Sequence, residues 1–296
     1  MRVSDQQLFG STTGNLQRTK ERIVRAQEQI ASQLRVAKPS DDPSIFGQVI
    51  LDKSALADND QWIRNIQFGT ARVAVGDQTL GQTQSLISRV RELAVQARSD
   101  TTSAQGRVTI AQEVRQLHRQ LIQLANTEVA GQPVFAGTKT DSQPFVLGVG
   151  DTVSYQGNSE SQSIGVGPNQ TTQIVLPGDQ VFTGPTTNIF NGLSNLLVAL
   201  ESNNGAGIEV GIGSLDQAID QISLAQGQIG AIANRLDTAH GTSLVVSAAI
   251  QQALSDQTDT DLATALTELQ LQQTAYQATS QTFIRLFDSS LLNFLR

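Results

Sequence analysis

Cysteine is absent from this 296-residue chain. That excludes disulfide staples, thiol nucleophiles and cysteine-ligated metals, and it leaves the compartment open. Aromatic residues are scarce at 4%, with ten Phe, two Tyr and one Trp. So few large anchors suit long, thin helical packing better than a thick globular core. No apolar run reaches the length of about 18 residues that a membrane-spanning helix needs. After Met1-Arg2 come Ser4, Asp5, Gln6 and Gln7, where a cleaved signal requires an apolar stretch. If the protein leaves the cell, it is expected to do so without an ordinary signal peptide.

Catalytic residue types are equally sparse. The only histidines, His118 and His240, are far apart and lack a spaced second ligand of zinc type. His118 is read as lying beside the apolar stripe of its helix, an ordinary surface or interface residue. No nucleophile elbow or phosphate loop occurs, and the Gly-x-Gly pairs at Gly148/Gly150, Gly165/Gly167 and Gly211/Gly213 read as turns. Asp256, Asp259 and Asp261 lack the spacing and central glycine of a calcium loop, so Asp259 or Asp261 is expected to cap the next helix. No catalytic, cofactor or metal site is expected, and the protein is read as a non-enzyme.

What the chain does contain is glutamine, 37 residues of it, and an uneven charge. Residues 1–139 carry 17 Lys/Arg against 13 Asp/Glu, whereas residues 140–296 carry 3 against 14. The basic residues alternate with acids and have no aromatic neighbours, so they read as solvated helix faces. Nucleic acid and membrane are not expected partners.

Three zones follow from composition. Residues 1–130 are helix-like, 131–213 are rich in Gly, Pro, Thr and Val, and 214–296 return to helix. Leu16, Ile23 and Ile30 recur at sevens in a coiled-coil-like helix over 11–36. Pro39-Ser40-Asp41-Asp42-Pro43 ends it and caps the next. Val49, Leu56 and Ile63, then Ile66, Val73, Leu80, Ile87 and Ala94, predict one helix over 44–97. A third helix, carrying Ile110, Val114, Leu117, Leu121 and Leu124, is expected over 103–130. Short strands are predicted at 134–136, 144–147, 152–155, 171–176 and 180–182, and a short helix or turn-rich return at 188–200. Leu215, Ile219, Ile222, Ile229 and Leu236 mark a helix over 214–254. After a polar break, Leu262, Leu269, Tyr276 and Phe283 again recur at sevens, ahead of the apolar end with Leu291 and Leu292.

Both ends are thus amphipathic helices set off from the body by polar linkers. Paired with each other they make only a thin core, so burial by neighbouring subunits is their natural completion. Docking of a terminal hairpin on its own body is the plainer alternative. Leu16, Ile23, Ile30, Leu262, Leu269, Tyr276 and Phe283, with Leu291 and Leu292, are the candidate assembly interface.

The segment Ser32 to Pro43, above all Pro39-Ser40-Asp41-Asp42-Pro43, resembles the N-terminal signature of bacterial flagellins and hook-associated protein 3. Leu124-Ala125-Asn126-Thr127, Phe135-Ala136-Gly137-Thr138-Lys139, Val153-Ser154-Tyr155-Gln156-Gly157 and Gly178-Asp179-Gln180-Val181-Phe182 resemble hook-associated protein 3 in particular. The C-terminal Leu271–Ala278 stretch and Ser290-Leu291-Leu292 resemble the same family's end. One departure stands out: Ser32-Gln33-Leu34-Arg35 occupies the place where relatives commonly have Ser-Gly-Lys/Arg.

The resemblance implies a mainly α fold with a β insertion: a flagellin-like long-helix bundle, terminal coiled-coil helices and a small outer β-rich domain. Its implied parts are an inner-tube helix and linker (1–43), two parts of a helical rod (44–139 and 201–256), an outer β domain (140–200) and a C-terminal inner-tube helix (257–296). It further implies a structural subunit at the hook-filament junction of the bacterial flagellum, in a ring of about eleven copies. Its implied partners are itself, hook-associated protein 1, flagellin and an export chaperone. It would be extracellular, reached by the flagellar type III route. A flagellin filament subunit is the alternative within the family. A secreted binding or effector protein is the alternative of another class, and an exposed aromatic platform in residues 140–200 would support it.

Overall fold

The computed structural model describes the backbone of residues 2–184 and 187–294, and the side chains of Gln7, Gly10–Gly184 and Thr187–Arg285. In chain order it has α1 (Arg2–Ser32), α2 (Pro43–Arg98), α3 (Ala104–Ala125), β1 (Glu128–Val129), β2 (Gln132–Pro133), β3 (Phe145–Leu147), β4 (Val153–Tyr155), β5 (Ser163–Gly167), β6 (Gln170–Gln173), α4 (Gly178–Val181), α5 (Ile189–Glu201), α6 (Gly205–Thr258) and α7 (Leu262–Phe294). A single 3₁₀ turn, Val149–Asp151, joins β3 to β4. The fold is a mainly helical long-helix bundle with a smaller β-rich insertion. The chain divides into two compact units, one of residues up to Asp58 together with those from Ser247 on, the other Asn59–Val246.

In the second unit the heptad rows of the long helices are covered along most of their length, with Ile63 and Ile219 half-buried. Ile66, Val73, Leu80, Ile87 and Ala94 of α2 are all buried, and so are Leu215, Ile222, Ile229 and Leu236 of α6. Seven residues are close to two full turns, so each series lies along one flank of its helix and can be covered over its whole length. Ala111, Val114, His118, Leu121, Ile122 and Ala125 form the buried stripe of α3. His118 is therefore on the stripe, with no exposed surface, and not beside it as expected.

The insertion pairs as three antiparallel two-stranded ribbons, β1-β2, β3-β4 and β5-β6. The first closes through Ala130 and Gly131, both at positive φ (52° and 77°), the geometry of a tight type I′ hairpin. Several predicted boundaries are corrected here. The third helix stops at Ala125, because Asn126 becomes its C-cap and turns its side chain to β3. Residues 134–136 are buried loop and not strand: the Phe135 carbonyl accepts from Gly178 N–H and the Ala136 carbonyl from Asn158 N–H. Residues 180–182 fall on the helical turn α4 and its C-cap, started after Pro177 by Gly178-Asp179. Strand pairing in β6 ends at Gln173, short of the predicted Leu176, and β5 takes in Gly165 and Gly167, expected to form a turn.

Three of the motifs quoted above meet at one point. The Phe135 carbonyl receives Gly178 N–H at 2.8 Å and the Tyr155 hydroxyl at 3.0 Å. A Cβ on Gly178 would lie 2.7 Å from that same oxygen and 2.7 Å from the Phe145 ring, so the close approach requires glycine there. Around it Phe135, Phe145, Phe182 and Phe190 pack together, edge-on or tilted except for the stacked pair Phe182–Phe190, with centroids 5.1–5.8 Å apart. All four are buried. Within residues 140–200, Phe145, Phe182 and Phe190 are thus core and Tyr155 is half-buried with its hydroxyl turned inward, so these aromatic residues offer no exposed platform for a glycan or host target.

Candidate assembly surface

The first unit holds the terminal helices and their linkers. α1 and α7 pack along each other. Leu34, just past α1, forms an antiparallel bridge with Asp259, just before α7, so the two helices run in opposite directions from that end. Arg35 N–H donates to the Thr258 carbonyl at 2.6 Å, and Thr260 N–H to the Gln33 carbonyl at 2.9 Å. The Arg35 guanidinium adds a bond to the Gln257 carbonyl at 2.7 Å. These bonds fix the linkers to each other where the sequence showed only polar breaks. The second linker is shorter than expected, since α6 continues through Asp256 to Thr258.

The proline-flanked motif builds the entry to α2. One carboxylate oxygen of Asp41 accepts from Ala37 N–H (3.1 Å) and Lys38 N–H (3.0 Å), closing a turn before the helix. Asp42 caps the helix itself, accepting from Ser44 N–H, Ile45 N–H and the Ser44 hydroxyl. Pro43 sits at the first helical position, where its missing N–H costs nothing. Both acids are held below their ordinary carboxylate value: Asp41 by the Lys38 and Ala37 amides, Asp42 by the Ser44 hydroxyl and then the Ile45 amide. Asp261 does the same for α7, its acidity raised first by the Thr264 hydroxyl and then by the Thr264 and Ala263 amides. Pro39, Ser40 and Pro43 are exposed. At Gln33 the backbone takes φ 60°, the left-handed conformation that a glycine adopts without strain.

The apolar series of the two helices is only partly covered. Leu16, Ile23 and Ile30 are half-buried, with buried Ala26 and half-buried Thr19 between them. On α7, Leu269 and Phe283 are half-buried beside buried Ala265 and Gln272. Large apolar residues thus alternate with small or polar ones on both inner faces, which allows close approach of the backbones. Leu262 and Tyr276 belong to the same sevenfold series but remain 41% and 37% exposed. The side chains of Leu291 and Leu292 lie outside the described residues. Val24, Leu271 and Ile284, which fall off the sevenfold spacing and were not singled out in the sequence, are exposed as well. Leu266 joins them at 53%. Their only sequence signal is that they are large and apolar on faces otherwise made of Gln, Thr and charge.

Among the described residues, no group of three His, Cys, Asp or Glu could hold a metal ion. Among the same residues no helix is long and apolar enough to cross a membrane. What the geometry offers chemically is a packing surface: half-covered apolar rows on capped, mutually tied helices.

Residues 3–140 match the bacterial flagellin N-terminal helical region, and residues 212–295 the bacterial flagellin C-terminal helical region. Along its length the chain is similar to flagellar hook-associated protein 3 of Escherichia coli K12, 27% identical over 307 residues, covering 96% of each chain. It is similarly related to flagellar hook-associated protein 3 of Salmonella typhimurium LT2, 27% identical over 322 residues and covering 100% of each. The crystal structure of flagellar hook associated protein-3 from Legionella pneumophila shares the fold at a TM-score of 0.63 and 18% identity, over 70% of this chain and 99% of that one. With both flagellin regions matched at their proper ends of one chain, the protein belongs to the bacterial flagellin superfamily.

Proposed function

We propose that this chain is the structural subunit joining the flagellar hook, through hook-associated protein 1, to the flagellin filament. The observation that carries the reading is the alignment with two hook-associated protein 3 sequences over the whole chain. It runs through residues 141–211, which lie outside both matched flagellin regions. A filament subunit would share the terminal helices, so the middle of the chain is what discriminates. In this reading residues 1–43 and 257–296 supply inner-tube helices, 44–139 and 201–256 the helical body, and 140–200 the outer domain. Copies of the chain close a ring, an export chaperone covers the C-terminal helix before assembly, and the protein acts outside the cell.

The half-covered rows have a role in this account. Leu16, Ile23 and Ile30 with Leu262, Leu269, Tyr276 and Phe283, and Leu291 and Leu292 beyond them, form the buried seam of the assembled tube. Completing the burial of one such Leu or Ile contributes up to roughly 1.5–3 kcal/mol, and ring closure repeats that contact in every copy. Deleting the gene tests the assignment. Cells that keep their hooks, lose their filaments and spill flagellin into the medium support a junction subunit. Cells that keep attached filaments reject it. Purified protein that grows long filaments alone would instead assign a flagellin.

A further inference from the structure

His118 is a titratable side chain that no assembly role uses. Its ring has no exposed surface, and neither Nδ1 nor Nε2 has a hydrogen-bond partner. It sits on the face of α3 that packs against α5, its ring centroid 6.1 Å from that of Phe190 in an edge-to-face pair with an interplanar angle of 61°. A neutral imidazole pays a modest desolvation cost in such a place, whereas an imidazolium with no acceptor pays several-fold more.

The charged groups around it do not supply a free counter-ion. On α3 itself Arg115 and Arg119 oppose a second positive charge. From the 149–151 turn, the Asp151 carboxylate favours one, but it already accepts from Arg115 Nε at 2.9 Å. The only charged residue of α5 is Glu201, and it too is bonded to Arg115. β3 also packs on α3 and carries no titratable side chain, while α2 brings Arg89 to α3, where it is already paired with Glu113 and Glu92. Burial therefore dominates and holds the imidazole below its ordinary value.

The polar ties across the same contact are few. Arg115 bridges Asp151 and Glu201, and the Ser194 hydroxyl donates to the Asp151 carbonyl at 2.6 Å. The turn they hold includes Gly150 and Asp151 at positive φ, 72° and 58°. If Asp151 swings to meet a charged His118 it must leave Arg115, and the turn loses its anchor.

We propose that His118 is an acid-sensitive latch, which seals α5 and the 149–151 turn onto α3 while neutral and releases them locally when protonated. The released segment takes up one proton per opening, so its opening constant rises about tenfold for each pH unit below about 6.5, until the closed form is itself protonated. The long helices, which carry no histidine in their buried rows, hold the remainder of the unit.

The experiment uses the full chain. A His240→Gln background leaves a single imidazole signal, whose titration by NMR should fall clearly below about 6.5. Amide exchange of residues 189–200, corrected for the intrinsic rate, should accelerate about tenfold between pH 6 and pH 5. Residues 66–94 should show no such acceleration. His118→Leu and His118→Gln should each abolish the pH dependence, and the Gln variant decides if the Leu variant does not fold. An imidazole that titrates at an ordinary value overturns the latch. So does acceleration absent from the parent chain, or surviving in His118→Gln.

Discussion

The Asn126 side chain and the Phe145 backbone exchange two hydrogen bonds: Nδ2 donates to the Phe145 carbonyl at 2.7 Å, and Oδ1 accepts from its N–H at 2.9 Å. A side-chain amide thereby imitates one rung of a β ladder. It ends α3 and fixes where β3 begins, placing the buried Phe145 ring among the other aromatic residues.

Replacing Asn126 with Ala should remove both bonds and leave a backbone N–H at a buried residue unpaired. A loss of about 1.5–3 kcal/mol in the urea-unfolding free energy of the Asn59–Val246 unit is expected. Asn126→Asp keeps the acceptor but loses the donor, so it should fall between parent and Ala. Equal stability of parent and Ala variant would mean that the aromatic packing alone sets the register.

The terminal helices invite a charge test. Ile23→Asp and Leu269→Asp place a carboxylate on half-buried positions, while Gln27→Asp places one on an exposed position of α1. Both seam variants should keep the cooperative melt of the second unit, speed amide exchange in α1 and α7, and give cells with missing or shed filaments. The control should resemble the parent. Secreted protein is measured alongside motility, because reduced export would point to chaperone recognition of the Leu269 face. Firmly attached filaments in both seam variants would reject the seam.

Gln33 gives a prediction of opposite sign. A left-handed conformation costs a residue with a Cβ roughly 1–2 kcal/mol. Glycine removes that cost but has up to about 1 kcal/mol more freedom to lose on folding. Gln33→Gly should therefore stabilise the paired linkers slightly, by at most about 1 kcal/mol, seen as slower exchange of the Arg35 and Thr260 amides. Gln33→Val, β-branched, should accelerate both. If Gly and Val shift exchange in the same direction, the φ at Gln33 is not what limits this joint.

The capping acids set an acid limit on the first unit. Asp41, Asp42 and Asp261 have folded values below the ordinary carboxylate range. Their contribution is therefore fully present above the unfolded value, about 3.9, and is lost as pH falls through the lower folded values. Exchange at Ala37, Ser44, Ile45 and Ala263 amides should rise in that acid window. Asp42→Asn, which caps without titrating, should flatten the rise at Ser44 and Ile45 alone. A rise that begins near pH 6 would point to another group.

Much of this was legible because heptad spacing is a local rule with a single geometric outcome. The rows from Ile66 to Ala94 and from Leu215 to Leu236 could be read as buried with no tertiary knowledge. His118 could not, since a polar residue at a stripe position is silent about what faces it, and here that is Phe190. The insertion was the least legible part. Residues 134–136 look like strand, but their carbonyls bond to segments more than twenty residues away. Gly165-Val166-Gly167-Pro168 looks like a turn between strands, yet both glycines lie in a paired strand. On the terminal helices, the spacing grouped Leu262 and Tyr276 with Leu269 and Phe283. It could not say that one chain alone covers only the latter pair more fully.

The Phe135 carbonyl makes the insertion modular. Its bonds to Gly178 and Tyr155, with Asn158 N–H on the adjoining Ala136 carbonyl, pin the bases of the loops and leave their tips unconstrained by that hub. The β5-β6 tip is only Pro168-Asn169, both exposed. A tip hung from a fixed base can change length at the entropic cost of loop closure alone, about 0.6 kcal/mol per doubling. A short epitope grafted between Pro168 and Asn169 would therefore be carried as passive cargo, a ready handle for labelling the molecule where it works.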